Sequence, residues 1–343
     1  MEPHLLMHST DNSLTGRLYT AKSSFRCMND LPEFEITGGW ITSCRGKKYF
    51  VDPQKPYTWL VEKERTASGV VEDVGIIFLT NRECPYQCLM CDLWKNTTDK
   101  TVPEGAIPKQ IEWALNHLPG VKHLKLYNSG SFFDKNAIPE KDYPRIASLV
   151  SSFETVIVES HPRFIDEECI RFRDMIKSDL QIAIGLETVN IEVLKKLNKR
   201  MTLEDFAGSV NFLLENDIFT RAFILLRPPF LSESEGVFWA ERSLDFAFNA
   251  GVECCSVIPV RAGNGAMDKL SEKGIFNPPD IRSLEKVLEY GIEQQSARVF
   301  ADTWDLKLFS KCDKCFADRT KRLIEMNLGQ RYICRIKCTC DTL

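Results

Sequence analysis

From about residue 70 onward, short β-branched and apolar runs alternate with segments of helical pattern. Strands that alternate with helices form parallel sheets, because each helix carries the chain back to begin the next strand in the same direction. The sequence therefore predicts an α/β fold, a partial (βα)6 barrel that is TIM-like but open on one side. The predicted strands are 75–79, 123–127, 155–158, 181–184, 221–226 and 254–259, and the predicted helices lie near 108–117, 144–153, 166–176, 203–215 and 235–250.

The two ends of the chain have a different character from this alternating region. Residues 1–70 mix polar residues with scattered tryptophans and prolines, and we interpret them as an N-terminal extension packed on the barrel. Residues 71–301 form the predicted barrel core. Residues 302–343 are rich in cysteine and basic residues, which predicts a small metal-binding C-terminal module.

Composition indicates a cytoplasmic protein that has no membrane span. We find no apolar run approaching the ~18 residues that cross a bilayer. The start at Met1 lacks the basic-then-apolar layout of a secretory signal. Thirteen cysteines without such a signal favour a reducing compartment and metal ligation over disulfides. The net charge of −4 argues against a uniformly basic coat for nucleic acid.

Three cysteines follow the first predicted strand with the spacing C-x3-C-x2-C: Cys84, Cys88 and Cys91. Cysteine thiolate is the usual ligand of iron–sulfur clusters, so these three can each bind one iron of a [4Fe–4S] cluster. The fourth iron is then open to a small molecule. The alternatives are a zinc loop, although structural zinc uses four ligands, or three unrelated cysteines. The loop lies at the carboxyl end of a barrel strand, where barrel enzymes carry their chemistry.

This spacing and position resemble the radical S-adenosylmethionine (radical SAM) enzymes. The resemblance implies that S-adenosylmethionine binds the open iron and is cleaved to methionine and a 5′-deoxyadenosyl radical. It also implies a one-electron donor such as flavodoxin or ferredoxin. The family usually has an aromatic residue before the third cysteine, to lie against the adenine, whereas this chain has Met90. The Met90 thioether can pack on a ring, or Trp94 can replace it.

Four small or polar residues follow the second predicted strand: Asn128, Ser129, Gly130 and Ser131. The family commonly has a short glycine-rich motif at this place, which binds the amino group of S-adenosylmethionine. Small residues let the backbone approach a ligand, and hydroxyl and carbonyl oxygens can accept hydrogen bonds from an ammonium. The alternative is an ordinary turn between a strand and a helix.

Ionisable residues also follow the third and fourth strands. In relatives, similar residues bind the ribose hydroxyls and the methionine carboxylate. By that resemblance Glu159 and Glu187 are candidates for cofactor binding, and Arg163 for the carboxylate, to which arginine bonds bidentately. His161 is a candidate acid or base. The alternatives are a helix cap for Glu187, a surface ion pair for Arg163 and a packed imidazole for His161.

The sixth strand leads to two further candidates. In the family pattern its apolar part lines the adenine pocket, so Arg261 and Asn264 would face the cavity mouth and contact the substrate. Other cysteines are interpreted as core or strand residues, as free cysteine usually is: Cys27, Cys44, Cys169, Cys254 and Cys255.

The C-terminal cysteines have the spacing C-x2-C-x18-C-x3-C-x1-C. A tetrahedral zinc site with four cysteine ligands suits this pattern, and an auxiliary iron–sulfur cluster would use the same ligand type. Zinc is slightly favoured because the surroundings are charged and the module is short. Five cysteines for four positions leave one spare, Cys334 or Cys340. The assigned ligands are Cys312, Cys315, Cys338 and Cys340.

Longer stretches are similar to elongator-like radical SAM proteins, which include the radical SAM subunit of archaeosine synthase. They are 88–94, 124–134, 259–267 and 298–305, together with the terminal cysteines. The resemblance implies a lyase step on a lysine adduct of a 7-deazaguanine base in tRNA, attached beforehand by a partner transferase. Two alternatives are another radical SAM activity on a small molecule or peptide, and a non-catalytic metal protein that binds nucleic acid.

Three basic segments favour an anionic macromolecular substrate, although each can also be a solvated surface. Residues 311–337 hold eight Lys or Arg against three Asp or Glu, and 195–200 and 45–48 are also basic. The C-terminal segment is expected to hold RNA phosphates through charge.

Overall fold

The computed structural model describes residues 35–342, and all but one of them belong to the compact unit that begins at Ile36. This unit has an eight-stranded sheet in which the strands follow one another in chain order. The first two strands are antiparallel, and all later neighbours are parallel. The strands are β1 (Thr58–Arg65), β2 (Val71–Leu79), β3 (His123–Asn128), β4 (Thr155–Ser160), β5 (Asp179–Glu187), β6 (Phe219–Leu226), β7 (Cys254–Pro259) and β8 (Arg298–Ala301).

Helices connect the parallel strands. Local signals fix some of their starts: Thr202 and Ser232 each cap a helix reciprocally with an acidic residue three positions later. None of the helices described is both long and apolar enough to span a membrane. The helices are α1 (Gly38–Ser43), α2 (Ala106–Leu115), α3 (Tyr143–Val150), α4 (Glu167–Met175), α5 (Ile191–Lys196), α6 (Leu203–Glu215), α7 (Glu233–Asn249), α8 (Ala266–Glu272), α9 (Ile281–Glu293) and α10 (Asp313–Gly329).

Side chains on one face of the sheet pack against the helices and form the main core. Successive side chains of a strand point to opposite faces, so every second residue lies on this side. Ile77 and Leu79 of β2 and Leu124 and Leu126 of β3 are fully buried here. The helices therefore pack on this face, which is the outer face of the sheet.

The opposite face curls around a shared interior. The rings of Tyr127 on β3 and Phe223 on β6 have centroids 6.2 Å apart, although two strands separate them in the sheet. Glu64 on β1 accepts hydrogen bonds from Lys125 at 2.6 Å and from Arg221 at 3.1 Å. Contacts between strands so far apart in sheet order require strong curvature. The predicted α/β fold with a partial barrel is therefore confirmed.

The sheet extends further at both edges than the sequence predicts. All six predicted strands are present, and β1 and β8 add to them. The segment β1 is rich in charged residues and β8 has only four residues, so neither shows a clear strand pattern. The expected N-terminal extension remains a prediction, and residues 1–34, with Cys27, lie outside the described residues.

Helix α10 covers the free edge of β8. The Asn327 side chain donates to the Ala301 carbonyl and accepts from its amide, both at 2.8 Å. Gln330 pairs in the same way with Val299, at 2.8 and 2.7 Å. These two amides take the place of a neighbouring strand, which satisfies backbone groups that an open edge would leave unpaired.

Candidate functional site

The cysteine loop follows β2 at the carboxyl end of the strands, and three contacts fix its backbone. Asn264 Nδ2 donates to the carbonyls of Leu89 and Cys91, at 2.7 and 3.1 Å. The Leu89 amide donates to the Leu197 carbonyl at 2.9 Å. Leu89 itself is fully buried, whereas Met90 is half-buried. The loop is thus held in place by residues that come more than a hundred positions later.

The three loop cysteines are half-buried, and their sulfurs are not all within 4.8 Å of one another. Burial raises the pKa of the Cys84, Cys88 and Cys91 thiols to about 12. Within residues 35–342, two sets of three or more potential ligands have all their ligand atoms within 4.8 Å of one another, and the loop cysteines belong to neither. Sulfurs that bind one zinc ion at ~2.3 Å would lie ~3.8 Å apart. The wider spacing suits a cluster in which each thiolate binds a different iron.

The residues after β3 lie directly against this loop. A Cβ atom on Gly130 would come within 3.3 Å of the Cys84 Cβ, so a side chain here would press on the loop. Asn128 is 1% exposed, and neither polar atom of its side chain has a hydrogen-bond partner. Ser131 accepts a hydrogen bond from the His161 amide at 2.9 Å. Because buried polar atoms are normally paired, Asn128 is suited to meet a polar ligand.

Glu159, at the end of β4, approaches the same turn. Its Oε1 accepts a hydrogen bond from the Asn128 amide at 2.7 Å. Burial raises the pKa of Glu159 to about 8, although the amide and Lys199 act in the opposite direction. The carboxyl is therefore mostly protonated at pH 7 in this structure, and a hydroxyl hydrogen is available for donation.

His161 is held by backbone groups on both sides of its ring. Its Nδ1 accepts from the Arg163 amide at 3.2 Å, and Nε2 donates to the Lys199 carbonyl at 2.9 Å. The ring also stacks on Tyr86, with centroids 4.1 Å apart. Burial lowers the pKa of His161 to about 4. A neutral imidazole that is hydrogen-bonded through both ring nitrogens is suited to positioning the loop. Its role as an acid or base remains a prediction. Arg163 itself is exposed.

Glu187 ends β5 with a backbone that few non-glycine residues adopt. Its φ is 64°, in the left-handed region. Its carboxylate forms an ion pair with Lys199, and a Cβ on Gly185 would fall 2.3 Å from the Lys199 Nζ. Burial alone would lower the pKa of Lys199, but Glu187 and Cys88 outweigh it and raise the pKa. Sequence analysis interpreted Lys199 as part of a basic surface, whereas the structure places it beside the cysteine loop.

The two candidates after β7 have different surroundings. Arg261 forms ion pairs with Asp302 at 3.1 Å and with Asp305 at 2.8 Å, and it is partly exposed. Asn264 is 4% exposed, and its Oδ1 accepts from the Met267 amide at 2.7 Å. Because both polar atoms of the Asn264 side chain bond to backbone groups, this side chain positions the cysteine loop. Contact of either residue with substrate remains a prediction.

The C-terminal cysteines form a compact group. Cys312 and Cys338 have sulfurs 3.8 Å apart, and Cys315 and Cys340 have sulfurs 3.7 Å apart. All four sulfurs lie within 4.8 Å of one another, close to the ~3.8 Å spacing of a tetrahedral shell around one ion. Cys334 is exposed and stands outside the group. The structure thus brings together the four cysteines that the sequence assigned.

The basic character of the C-terminal segment is only partly a surface property. Arg319 and Arg322 are 3% and 1% exposed and form ion pairs with Glu285 of α9. Arg322 also pairs with Glu289 at 2.6 Å. Buried arginines joined to carboxylates cannot meet phosphates, so the expectation that this whole segment binds RNA is wrong for these two residues. The exposed lysines are Lys311, Lys314, Lys321 and Lys337.

Comparison with known proteins gives distant relatives. No family model matches the chain. An uncharacterized protein of Methanocaldococcus jannaschii is 25% identical over 324 residues, which cover 87% of this chain and 88% of that protein. Archaeosine synthase subunit beta of Thermococcus kodakarensis is 26% identical over 211 residues, which cover 59% of this chain and 65% of that protein. The chain therefore spans slightly less than two thirds of the length of that relative.

Among solved structures, methylornithine synthase has a TM-score of 0.51 with 10% sequence identity. The superposition covers 87% of this chain and 81% of that chain. Identity this low supports the fold alone. Radical SAM enzymes are among the structural neighbours, so the resemblance expected from the sequence is confirmed at the level of the fold.

Proposed function

We propose that this protein is a radical SAM enzyme whose [4Fe–4S] cluster is bound by Cys84, Cys88 and Cys91. The observation that carries the proposal is the position of three cysteines at the carboxyl end of β2, with sulfurs that are not all within 4.8 Å of one another, in a fold shared with radical SAM enzymes. A loop with three cysteine ligands leaves one iron of a cluster free for a substrate. Barrel enzymes carry their catalytic groups at this end of the strands.

The residues around the loop fit such a cluster together with S-adenosylmethionine. The donor set is three thiols, the ligands that iron–sulfur clusters use. Gly130 leaves room beside Cys84, and the unpaired side chain of Asn128 offers both a donor and an acceptor. Glu159 and Glu187 add carboxyl groups at the ends of two neighbouring strands. These four residues, together with Ser129, Ser131, Met90 and Arg163, would bind S-adenosylmethionine.

When bound, the cluster and S-adenosylmethionine supply the reductive cleavage that yields a 5′-deoxyadenosyl radical. The protein holds the reacting groups in place. Asn264 fixes the loop backbone through the carbonyls of Leu89 and Cys91, and His161 ties the end of β4 to the Lys199 carbonyl.

For the substrate we propose a modified base in tRNA, of the archaeosine type. The radical would abstract a hydrogen from the lysine part of a lysine-adducted 7-deazaguanine, and cleavage of a C–N bond would complete a lyase step. Support comes from the similarity to archaeosine synthase subunit beta and from the exposed lysines Lys311, Lys314 and Lys321. A partner transferase and a flavodoxin- or ferredoxin-like electron donor belong to the same proposal.

We assign zinc to the C-terminal cysteines. One tetrahedral ion accounts for sulfur pairs 3.7 and 3.8 Å apart, and the larger body of an iron–sulfur cluster does not. Arg319 Nε lies 3.2 Å from the Cys315 sulfur, where it can offset thiolate charge. The metal would join the start of α10 to the end of the chain.

The test measures 5′-deoxyadenosine formed by the reconstituted protein, with and without tRNA that carries the lysine-adducted base. We expect cleavage that depends on tRNA and conversion of the base. Cleavage without any effect of tRNA would favour a small-molecule or peptide substrate. Binding of tRNA without any 5′-deoxyadenosine would instead indicate a non-catalytic nucleic-acid-binding protein.

A charge-reversal variant tests the contact with RNA. Changing Lys311, Lys314 and Lys321 to Glu should weaken tRNA binding and reduce its dependence on salt. A control variant with the same change of charge replaces Lys63, Lys122 and Lys177 with Glu. These exposed lysines lie near the amino ends of the parallel strands. Equal binding by both variants would argue against the tRNA surface. The buried Arg322 is unsuitable for this test.

A further inference from the structure

The segment 197–200 follows α5 and lies along the cysteine loop. The Leu197 carbonyl accepts from the Leu89 amide at 2.9 Å. Asn198 Nδ2 donates to the Gln87 carbonyl at 2.7 Å. A Cβ on Gly38 would lie 3.6 Å from both Asn198 Nδ2 and a guanidinium nitrogen of Arg200, so the start of α1 also approaches the segment. The segment is therefore built into the site.

Lys199 is the charged residue that this segment delivers to the cysteines. Its side chain is 12% exposed, and its ammonium pairs with the Glu187 carboxylate, which is 7% exposed. The ammonium interacts electrostatically with both Cys84 and Cys88. By contrast, Lys195 on helix α5 is 69% exposed and pairs with its neighbour Glu192. Lys199 is thus a positive charge at a defined place beside two expected cluster ligands.

The backbone around this charge adopts uncommon conformations. Asn198 and Arg200, on either side of Lys199, have φ values of 52° and 57°, and Glu187 has 64°. Left-handed non-glycine residues are strained and persist only where surrounding contacts hold them. The bond from His161 Nε2 to the Lys199 carbonyl is one such contact. These residues fix the position of the ammonium.

We propose that Lys199 is a positioning residue that raises the reduction potential of the cluster bound by Cys84, Cys88 and Cys91. The proposal rests on the proposed function, because it requires that cluster. Three thiolates give a [4Fe–4S] cluster in its 2+ state a net charge of −1, and one added electron makes it −2. A fixed positive charge nearby stabilises the more negative state, and burial strengthens the effect because water screens it poorly.

Glu187 provides a second test, in which the reduction potential should change in the opposite direction. Its carboxylate also interacts with Cys88, with the sign opposite to that of Lys199. Removing the negative charge should therefore raise the potential, whereas removing the positive charge should lower it. Loss of packing would have no reason to move the potential in opposite directions at the two ends of one ion pair.

The experiment is a redox titration of the reconstituted full chain without S-adenosylmethionine. Titanium(III) citrate supplies the one electron per cluster, and the reduced cluster is counted by electron paramagnetic resonance. In Lys199→Met we expect the reduced-to-oxidised ratio at a fixed potential to fall about tenfold, a shift of about 59 mV for one electron. Lys199→Arg should restore most of the ratio. Lys195→Met, which removes an exposed lysine four residues away, should leave it unchanged.

Each outcome decides between defined possibilities. If wild-type protein binds no cluster, the proposed function fails first. If the cluster is present and Lys199→Met titrates like wild type, the role of Lys199 is overturned. If Lys199→Met does not retain a cluster, Glu187→Gln decides: a raised potential supports the proposal, and an unchanged or lowered potential overturns it.

Discussion

The cysteine loop and the C-terminal cysteines use the same ligand atom in different surroundings. The loop cysteines have sulfurs that are not all within 4.8 Å of one another, and burial of the thiol groups raises their pKa values to about 12. The C-terminal sulfurs already lie at the spacing of one tetrahedral shell. There the Cys340 amide lowers the pKa of the Cys338 thiol to about 7, and the Cys315 amide lowers that of Cys312.

Under the proposed function, this difference would separate a site that holds a structural metal from a site that uses a cluster in catalysis. Backbone amides favour thiolate at Cys312 and Cys338, whereas burial raises the pKa of Cys315 and the hydrogen bond with Cys338 raises that of Cys340 to about 12. Two of the four ligands are thus prepared for a metal before it binds. The loop instead combines an open position with unpaired polar groups such as Asn128. Sequence spacing suggested metal binding at both places, but only the spacing of the sulfurs in space separates one ion from a larger cluster.

The largest expected effect comes from removing one cysteine at either place. Cys88→Ala should abolish bound iron and 5′-deoxyadenosine formation together, an effect larger than the ~10–100-fold cost of losing an outer-shell partner. It should leave zinc unchanged. Cys315→Ser should release zinc and cost at least about 2 kcal/mol of unfolding free energy, because structural zinc contributes directly to folding.

Elemental analysis and thermal unfolding of both variants check these outcomes. Cys334→Ala is the matched control, because this cysteine is exposed and outside the group. It should change neither metal. Loss of zinc in Cys88→Ala, or persistent cleavage of S-adenosylmethionine in that variant, would contradict the division into two independent sites.

Most of the barrel could be predicted from the sequence because its parallel strands are apolar runs separated by clear helices. The edge strands could not be predicted. The acidic side chains of β1 pair with Lys125 and Arg221 in the barrel interior, and the local pattern of β1 does not reveal these partners. For the same reason, Arg322 looked like a surface residue. Its burial depends on Glu285 and Glu289, about 35 residues away on another helix.

The candidate site shows the same limit. The spacing of the cysteines, and the small residues that follow β3, are local features that sequence analysis can find. The contact of Asn264 with the loop and that of Lys199 with Glu187 depend on how separate strand ends meet. A basic run such as 195–200 carries no signal that one of its lysines turns inward.

A smaller effect is expected from loosening the loop without removing a ligand. Asn264→Ala removes two hydrogen bonds to loop carbonyls and one from the Met267 amide. At about 1 kcal/mol for each bond, the cost is roughly 2–3 kcal/mol. We expect faster loss of the cluster to a chelator, whereas the C-terminal zinc stays in place.

The control for this variant is Asn327→Ala, which loses a similar pair of backbone bonds at β8, away from the loop. It should lower stability but leave the rate of cluster loss unchanged. Asn264→Asp keeps an acceptor for Met267 but cannot donate to the loop. If it retains the cluster as wild type does, the two donated bonds are not what holds the loop.

A gradual effect is expected from the pH dependence that Glu159 contributes. Burial raises the pKa of Glu159 to about 8, from 4.5 in the unfolded chain. The folded state therefore binds the Glu159 proton more tightly than the unfolded state does. The resulting stabilisation of the folded state is complete below about pH 4.5 and is lost as pH rises toward 8. The slope of the unfolding free energy reaches at most about 1.4 kcal/mol per pH unit.

Glu159→Gln keeps an acceptor for the Asn128 amide and removes the titration. In anaerobic urea unfolding of the cluster-free protein between pH 5 and 8, the wild type should lose stability relative to this variant. A constant difference across that range would show that Glu159 is ionised in the folded state, and it would then face the cofactor as a carboxylate.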